Sequence, residues 1–572
     1  MRWSAAVLRP ARLFLALVTA LLLALALFLY GEAPREGSPE SPVRFLGTDF
    51  PPLLHGHDEG QGYGFSGAAL FDADGDGRPD MFIGGGSGAH DQIAVQTRAG
   101  WELRRLEDSS QNTYGAVAVD LDRDGDDDLV VSRESGTRLL LNDGRGGFTD
   151  ATPGYMAAPA RDDSVALSVA AGDVNGDGWV DLYESRFVRA EDYEPGLYND
   201  PARSKRNRLW LSLGAPGDDA VPRFRDATTE SGVAGCCNTY ASMLVDLDGD
   251  GDLDLVTAND AGPVEIFENA GDGNFTQRDA GSFGVGFWMG LTAGDYDNDG
   301  DTDLFFTNKG RNIPEWVIRG DRRDDQAFNG SYLLARNDGD FSFADVTAEA
   351  GLKAWEFARG AVWADFDADG LLDIALLGND WRWPVFRWLP QPGRVFIQGP
   401  PGRFRDVAVA SGVANAHVGV TPLAGDLNLD GYPDLVLVNR RGPLRVFVNK
   451  GTGNHFLGVR LRTQENVPAF GTRVEVRLKD GTRFTRQLTA GEGFMADQGD
   501  VLLFGLGRRT QVESLRVHWS TGSYTRIDDS PLDRYVGFTE PTEESGGRNV
   551  MIRNPLPEWA QRQQNAPKLS CP

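Results

Sequence analysis

Seven times along this chain, oxygen-bearing side chains occupy positions one, three, five and nine of a nine-residue loop whose sixth residue is Gly. The sets are Asp72, Asp74, Asp76 and Asp80; Asp120, Asp122, Asp124 and Asp128; Asp173, Asn175, Asp177 and Asp181; and Asp246, Asp248, Asp250 and Asp254. The remaining three are Asp295, Asp297, Asp299 and Asp303; Asp365, Asp367, Asp369 and Asp373; and Asp426, Asn428, Asp430 and Asp434. Carboxylates this close repel one another, and a cation among them removes the repulsion. Position seven holds Arg78, Asp126, Trp179, Asp252, Asp301, Leu371 and Tyr432, as expected where only a backbone carbonyl is used. Oxygen-only donors in a flexible loop select a hard cation, and Ca²⁺ takes six to eight of them where Mg²⁺ demands a tighter octahedron. Up to seven Ca²⁺ are therefore expected.

The elements around the loops decide which calcium motif this is. An EF-hand needs a bidentate Glu at position twelve and helices on both sides. Here position twelve is Glu only in the third copy, at Glu184, and is Ile83, Val131, Thr257, Phe306, Leu376 or Leu437 elsewhere. The flanks are short apolar and β-branched runs such as "GAVAVD" before and "DLVVSR" after, which are strand signals. Asp and Gly also crowd ordinary turns, but seven copies sharing the ninth Asp exceed what turn chemistry requires. The loops start 48, 53, 73, 49, 70 and 61 residues apart, and a four-stranded propeller blade takes about 40 to 50. Most units end in a phrase such as "FRDATTESGV" at 224 or "FADVTAEAGL" at 343, marking a second hairpin. The seventh lacks one, so a strand from "VRFLGTDFPPLLHG" (43–56) is expected to close the ring and remove an open edge.

These loops resemble the FG-GAP/VCBS repeats of seven-bladed β-propellers, including those of integrin α subunits, where such loops hold Ca²⁺. Further on, "NHFLGVRL" (454–461), "NVPAFGTRVEVR" (466–477), "LTAGEGFMADQ" (488–498), "LLFGLG" (502–507) and "VESLRVHWSTG" (512–522) resemble an ASPIC/UnbV domain. That domain usually reads G-A-x-V where this chain has Gly471-Thr472-Arg473-Val474, and Ser-Gln where it has Asp497-Gln498. The two together are the layout of the cartilage acidic protein family and its bacterial relatives. The resemblance implies an all-β chain: a seven-bladed propeller with calcium-binding hairpin loops over 43–453, then a small β-rich domain over 454–530.

Outside that span, Arg2, Arg9 and Arg12 precede an uncharged apolar run from Leu13 to Tyr30, and Glu32, Glu36 and Glu40 follow it. Residues 1–30 read as a signal anchor, with a cleaved signal peptide as the alternative, 31–42 as a linker and 531–572 as a tail. Either way the body is exported: anchored in the inner membrane facing outward, or secreted. A net charge of -28 excludes nucleic acid as a partner, because phosphate recognition needs a basic face. Three cysteines make no disulfide framework, and the adjacent Cys236 and Cys237 are expected as two packed thiols rather than a strained vicinal bridge.

Catalytic signatures are scarce: there is no G-x-S-x-G, H-E-x-x-H or Walker loop, and His55 and His57 beside "DEG" read as surface residues. Three long insertions follow strands that leave a metal loop and so should share one face of the ring. They carry Trp316, Arg319, Trp381, Arg382, Trp383, Arg387 and Trp388, a set suited to a protein or glycan ligand. Three functions fit: a membrane-tethered, calcium-stabilised binding module, an enzyme or accessory factor of secondary metabolism with its site at the propeller funnel, and a structural or assembly factor of an envelope complex.

Overall fold

The computed structural model describes residues 40–541 apart from 49, 52–62, 87, 107–108, 110, 157–163, 193–203, 216–220, 282, 311–326, 354–356, 379–392, 414, 416 and 466. Among the described residues no helix is long and apolar enough to cross a membrane, and the expected anchor at 1–30 lies outside them.

Alternation of apolar runs with Asp-Gly loops produces strands joined by tight connections. Among the described residues, antiparallel groups of four strands follow one another along the chain, the fourth and fifth groups lying in one eight-stranded sheet and the first carrying an added parallel strand. Their first strands are Ala68–Phe71, Thr113–Val119, Ser164–Gly172, Thr239–Val245, Gly286–Gly294, Ala358–Ala364 and Val418–Gly425. Each is followed by one acidic loop and a second strand that opens on the ninth Asp of that loop: Asp80–Ile83, Asp128–Arg133, Asp181–Val188, Asp254–Gly262, Asp303–Asn308, Asp373–Gly378 and Asp434–Arg441. The first strands touch in a cycle, each meeting the next and the last returning to the first, which is a propeller-like arrangement. The fourth and fifth sheets are joined edge to edge where Asp260 pairs with Phe287 and Gly262 with Gly286. The fourth strand of the seventh sheet is Phe45–Thr48, paired antiparallel with Arg445–Asn449, so the N-terminal side of the chain supplies the strand that the last repeat lacks.

The C-terminal part contains a three-stranded sheet, with His455–Arg462 between Val501–Gly507 and Arg534–Thr539, and a four-stranded sheet of Arg473–Leu478, Arg483–Gln487, Val512–His518 and Tyr524–Asp528. Its strands run to Thr539, past the expected boundary at 530, because Arg534–Thr539 pairs in parallel with His455–Arg462.

Between two strands of this part, residues 488–498 leave the domain and fill the centre of the cycle. Gly493 exchanges both backbone hydrogen bonds with Leu291, at 2.7 and 2.9 Å. Ala496 and Asp497 pair in parallel with Ala68 and Ala69, Asp497 accepts from the Ala118 N–H at 2.9 Å, and Gln498 Oε1 accepts from Ala424 N–H at 3.0 Å. Two glycines allow this approach. Gly491 (φ +80) and Gly493 (φ +95) adopt left-handed conformations, and a Cβ on Gly491 would meet the Val169 carbonyl at 2.4 Å. Phe494, 0 % exposed, packs with Phe65, Tyr240 and Met289 in one apolar cluster. Phe494→Ala should lower stability by about 3–5 kcal/mol, as truncation of a buried aromatic does. Val409→Ala, at a site 73 % exposed, should change it by no more than about 0.5 kcal/mol. Urea unfolding of the two variants checks the contrast, and an unchanged Phe494→Ala midpoint would mean the plug carries no stability.

Candidate metal centres

Each loop is shaped by three recurring hydrogen bonds before any ion is considered. The Gly at position six donates its N–H to the first Asp in all seven, as in Gly77 to Asp72 at 2.8 Å and Gly125 to Asp120 at 3.0 Å. The N–H of residue seven reaches Oδ1 of the fifth Asp at 2.8–3.1 Å in all seven. Oδ2 of the ninth Asp accepts the N–H of residue two at 2.8–3.1 Å, again in all seven. The same ninth Asp turns Oδ1 to a backbone N–H at the end of the third strand, at 2.6–2.9 Å.

Alongside these bonds, carboxylate oxygens of the same loops face one another. In five loops three carboxylates bring oxygens within 4.8 Å: Asp72, Asp74 and Asp80; Asp120, Asp122 and Asp128; Asp246, Asp248 and Asp250; Asp295, Asp297 and Asp299; and Asp365, Asp367 and Asp373. The third and seventh loops, with Asn175 and Asn428 at position three, make no such acid triplet among the described residues. Asp74 Oδ1, Asp120 Oδ1, Asp295 Oδ1 and Asp297 Oδ1 are buried and accept no hydrogen bond. A buried carboxylate oxygen without a donor is costly, and a cation at the centre of such a group satisfies it. The residues present thus fit a hard divalent ion.

Burial also displaces the titration of these acids. It raises Asp80, Asp128 and Asp254 to about 8 and Asp303 to about 9, overcoming the backbone N–H groups that favour the carboxylate. Burial likewise lifts Asp120 and Asp295 to about 7, and the Arg486 guanidinium opposes the rise at Asp295.

Position seven does more than lend a carbonyl. The Arg78 guanidinium pairs with Asp76 at 2.6 Å, Trp179 lies 3.5 Å under the Arg123 guanidinium of the neighbouring loop, and the Tyr432 hydroxyl donates to the Asn454 carbonyl at 2.7 Å. A second feature escaped the sequence reading. The side-chain amides of Asn142, Asn269, Asn337, Gln398 and Asn449 each donate to residue two of the preceding sheet's loop and residue eight of their own, at 2.8–3.2 Å. Its signal was present as an Asn or Gln ahead of a Gly-containing turn in "NDGRGGF", "NAGDGNF" and "QGPPGRF".

The C-terminal part covers the loop face. Between them lies a cavity of about 190 Å³ lined by Asp72, Asp295, Asp365, Asp426, Arg460 and Arg486, among others. The expected ligand residues Trp316, Arg319, Trp381, Arg382, Trp383, Arg387 and Trp388, with His55 and His57, lie outside the described residues. The expectation of two free thiols is corrected: Cys236 and Cys237 are disulfide-bonded to each other. The turn that carries them is held from both sides, by Cys236 N–H on Glu265 Oε2 at 3.2 Å and Asn207 N–H on the Ala234 carbonyl at 3.0 Å.

With sheets in a cycle, an acidic loop at the head of every second strand and a β-rich C-terminal part, the chain contains FG-GAP-like repeats and an ASPIC/UnbV domain. Residues 72–131, 120–184 and 246–306 match the FG-GAP-like repeat, and 462–545 match ASPIC and UnbV. The chain is 26 % identical to cartilage acidic protein 1 of Mus musculus over 543 residues, covering 81 % of this chain and 76 % of that one. To cartilage acidic protein 1 of Homo sapiens it is 26 % identical over 494 residues, covering 72 % and 69 %. Among solved structures, YCF48 bound to D1 peptide overlaps 72 % of this chain and 97 % of its own at 10 % identity, with a TM-score of 0.40.

Raised folded-state values fix the sign of a pH effect. For metal-free protein, each such Asp contributes stability below its unfolded value of 3.8, and loses it as pH rises through about 8. The melting temperature of metal-free protein should therefore fall between pH 6 and 9. Calcium binds the ionised form, so its stabilising effect should grow over the same window. Differential scanning calorimetry with and without calcium tests this, and a metal-free melting temperature that rises with pH would contradict it.

Proposed function

We propose that this chain is an exported, membrane-tethered, closed seven-bladed β-propeller, stabilised by up to seven Ca²⁺, that acts as a binding module for a protein or glycan at the cell envelope. The calcium reading rests on the buried carboxylate oxygens that no donor satisfies. Each occupied site would stabilise the fold by about 2.7 kcal/mol at one hundred times its dissociation constant. The N-terminal apolar run after three Arg supports export and tethering, with secretion the outcome if it is cleaved.

The observation that carries binding over catalysis at a funnel is the filled centre of the cycle, where Phe494, Met495 and Ala496 are 0 %, 1 % and 2 % exposed. An active site at the funnel would need that space. The long crossings after Asp181–Val188, Asp303–Asn308 and Asp373–Gly378 leave the ends of the strands farthest from the acidic loops, and their Arg and Trp residues suit a ligand-binding face. Alanine at Trp381, Trp383 and Trp388 together should abolish capture of the ligand, found by glycan array and envelope pull-down with the calcium-loaded protein. The melting temperature should stay within about 2 °C, as expected of residues that serve a ligand rather than the core. Full capture by the triple variant would remove these residues from the site.

A further inference from the structure

The first Asp of five loops accepts hydrogen bonds only from its own loop among the described residues. Loops six and seven differ. Asp365 Oδ2 accepts from Gly370 N–H at 2.8 Å and also from Gly505 N–H, a residue of the C-terminal part, at 3.0 Å. Asp426 Oδ2 accepts from Gly431 N–H and from the Tyr535 hydroxyl, likewise of the C-terminal part. Further contacts press on the same loops. Gly507 N–H donates to the Ala368 carbonyl at 2.8 Å. Phe484 and Phe456 stand so close over Gly370 and Gly431 that a Cβ on either would meet them at 2.2 and 2.1 Å.

We propose that loops six and seven are composite metal sites completed by the C-terminal domain, so that calcium occupancy there and docking of that domain with its central plug are thermodynamically linked. The inference rests on the calcium reading above. Gly505 N–H and the Tyr535 hydroxyl are positioning groups: they fix a first-position carboxylate while its other oxygen stays turned into the loop, where Asp369 or Asp430 N–H also points at 3.0 Å. The chain order carries the linkage to the plug. Residues 488–498 run between strand Arg483–Gln487, whose Arg486 donates to the Gly370 carbonyl at 3.4 Å, and strand Val501–Gly507, which holds Gly505 and Gly507. Both ends of the plug are therefore pinned to loop six. Whatever reorganises that loop loosens the plug, and by reciprocity an undocked domain weakens the ion.

Tyr535→Phe keeps the ring that packs on Phe456, 5.8 Å between centroids, and removes only the hydroxyl. In the full chain, calorimetric titration with calcium should show the loop-seven site weakened roughly 10–100-fold, with a smaller loss at loop six and the other sites unchanged. Hydrogen exchange at 489–498 should accelerate at limiting calcium and recover at saturation. Independently, chelation of the wild type should expose the same amides more than those of the second strands. The proposal is overturned if Tyr535→Phe titrates like the wild type, or if chelated wild type keeps 489–498 as protected as the loaded form. A wild type that takes up no calcium at all would instead remove the reading on which this one stands.

Discussion

Everything in the ring depends on one carboxylate used seven times. The ninth Asp of each loop is buried and spends both oxygens on backbone N–H groups, one inside its loop and one at the end of the third strand. It therefore fixes the loop against its own sheet before any ion arrives. A neutral side chain of the same size offers one acceptor oxygen instead of two, so only Asp meets both demands at that depth. The third-strand Asn or Gln beside it carries the constraint outward: its amide group spans to the preceding sheet's loop in five of the sheets. Loop shape, strand register and sheet-to-sheet spacing thus meet at one acid and one amide per repeat.

That economy explains the charge of the chain. The loops hold 28 oxygen-bearing side chains at the four ligand positions, 26 of them Asp, within a net charge of -28. Ordinary folding would select against such density, since burial raises many of these acids toward neutrality. Divalent ions reverse the balance by favouring ionised carboxylates, and seven would bring the formal charge to -14. The acidic composition is then largely a consequence of the repeat.

The sequence made the repeats legible because their information is local: a nine-residue loop flanked by strands keeps its pattern whatever surrounds it. The closing strand at Phe45–Thr48 was also legible, from the missing element in the last repeat. The plug was not. "LTAGEGFMADQ" looks like any Gly-rich connection, and only the ring's empty centre gives Phe494 and Met495 a place to be buried. Nor could one sequence show that Tyr535 reaches Asp426 across 109 positions, or that Cys236 and Cys237 are bridged, since neither contact has a periodic signature.

The boundary at 453/454 marks a change of motif, and apolar packing runs across it. One apolar cluster joins Val117, Val169 and Leu182 of the second and third sheets to Leu457, Val474 and Leu515 beyond the boundary. A second joins Phe65, Tyr240 and Val420 to Phe494. Removing the C-terminal part would strip apolar cover from several first strands and leave the ring's centre open to water, while the ring would still hold its acidic loops. A domain that reaches the sheets through their common centre acts on all of them at once, and one resting on a single sheet's rim would not. The ASPIC/UnbV part is thus the axle of the repeat array, and the packing of the ring is set from within.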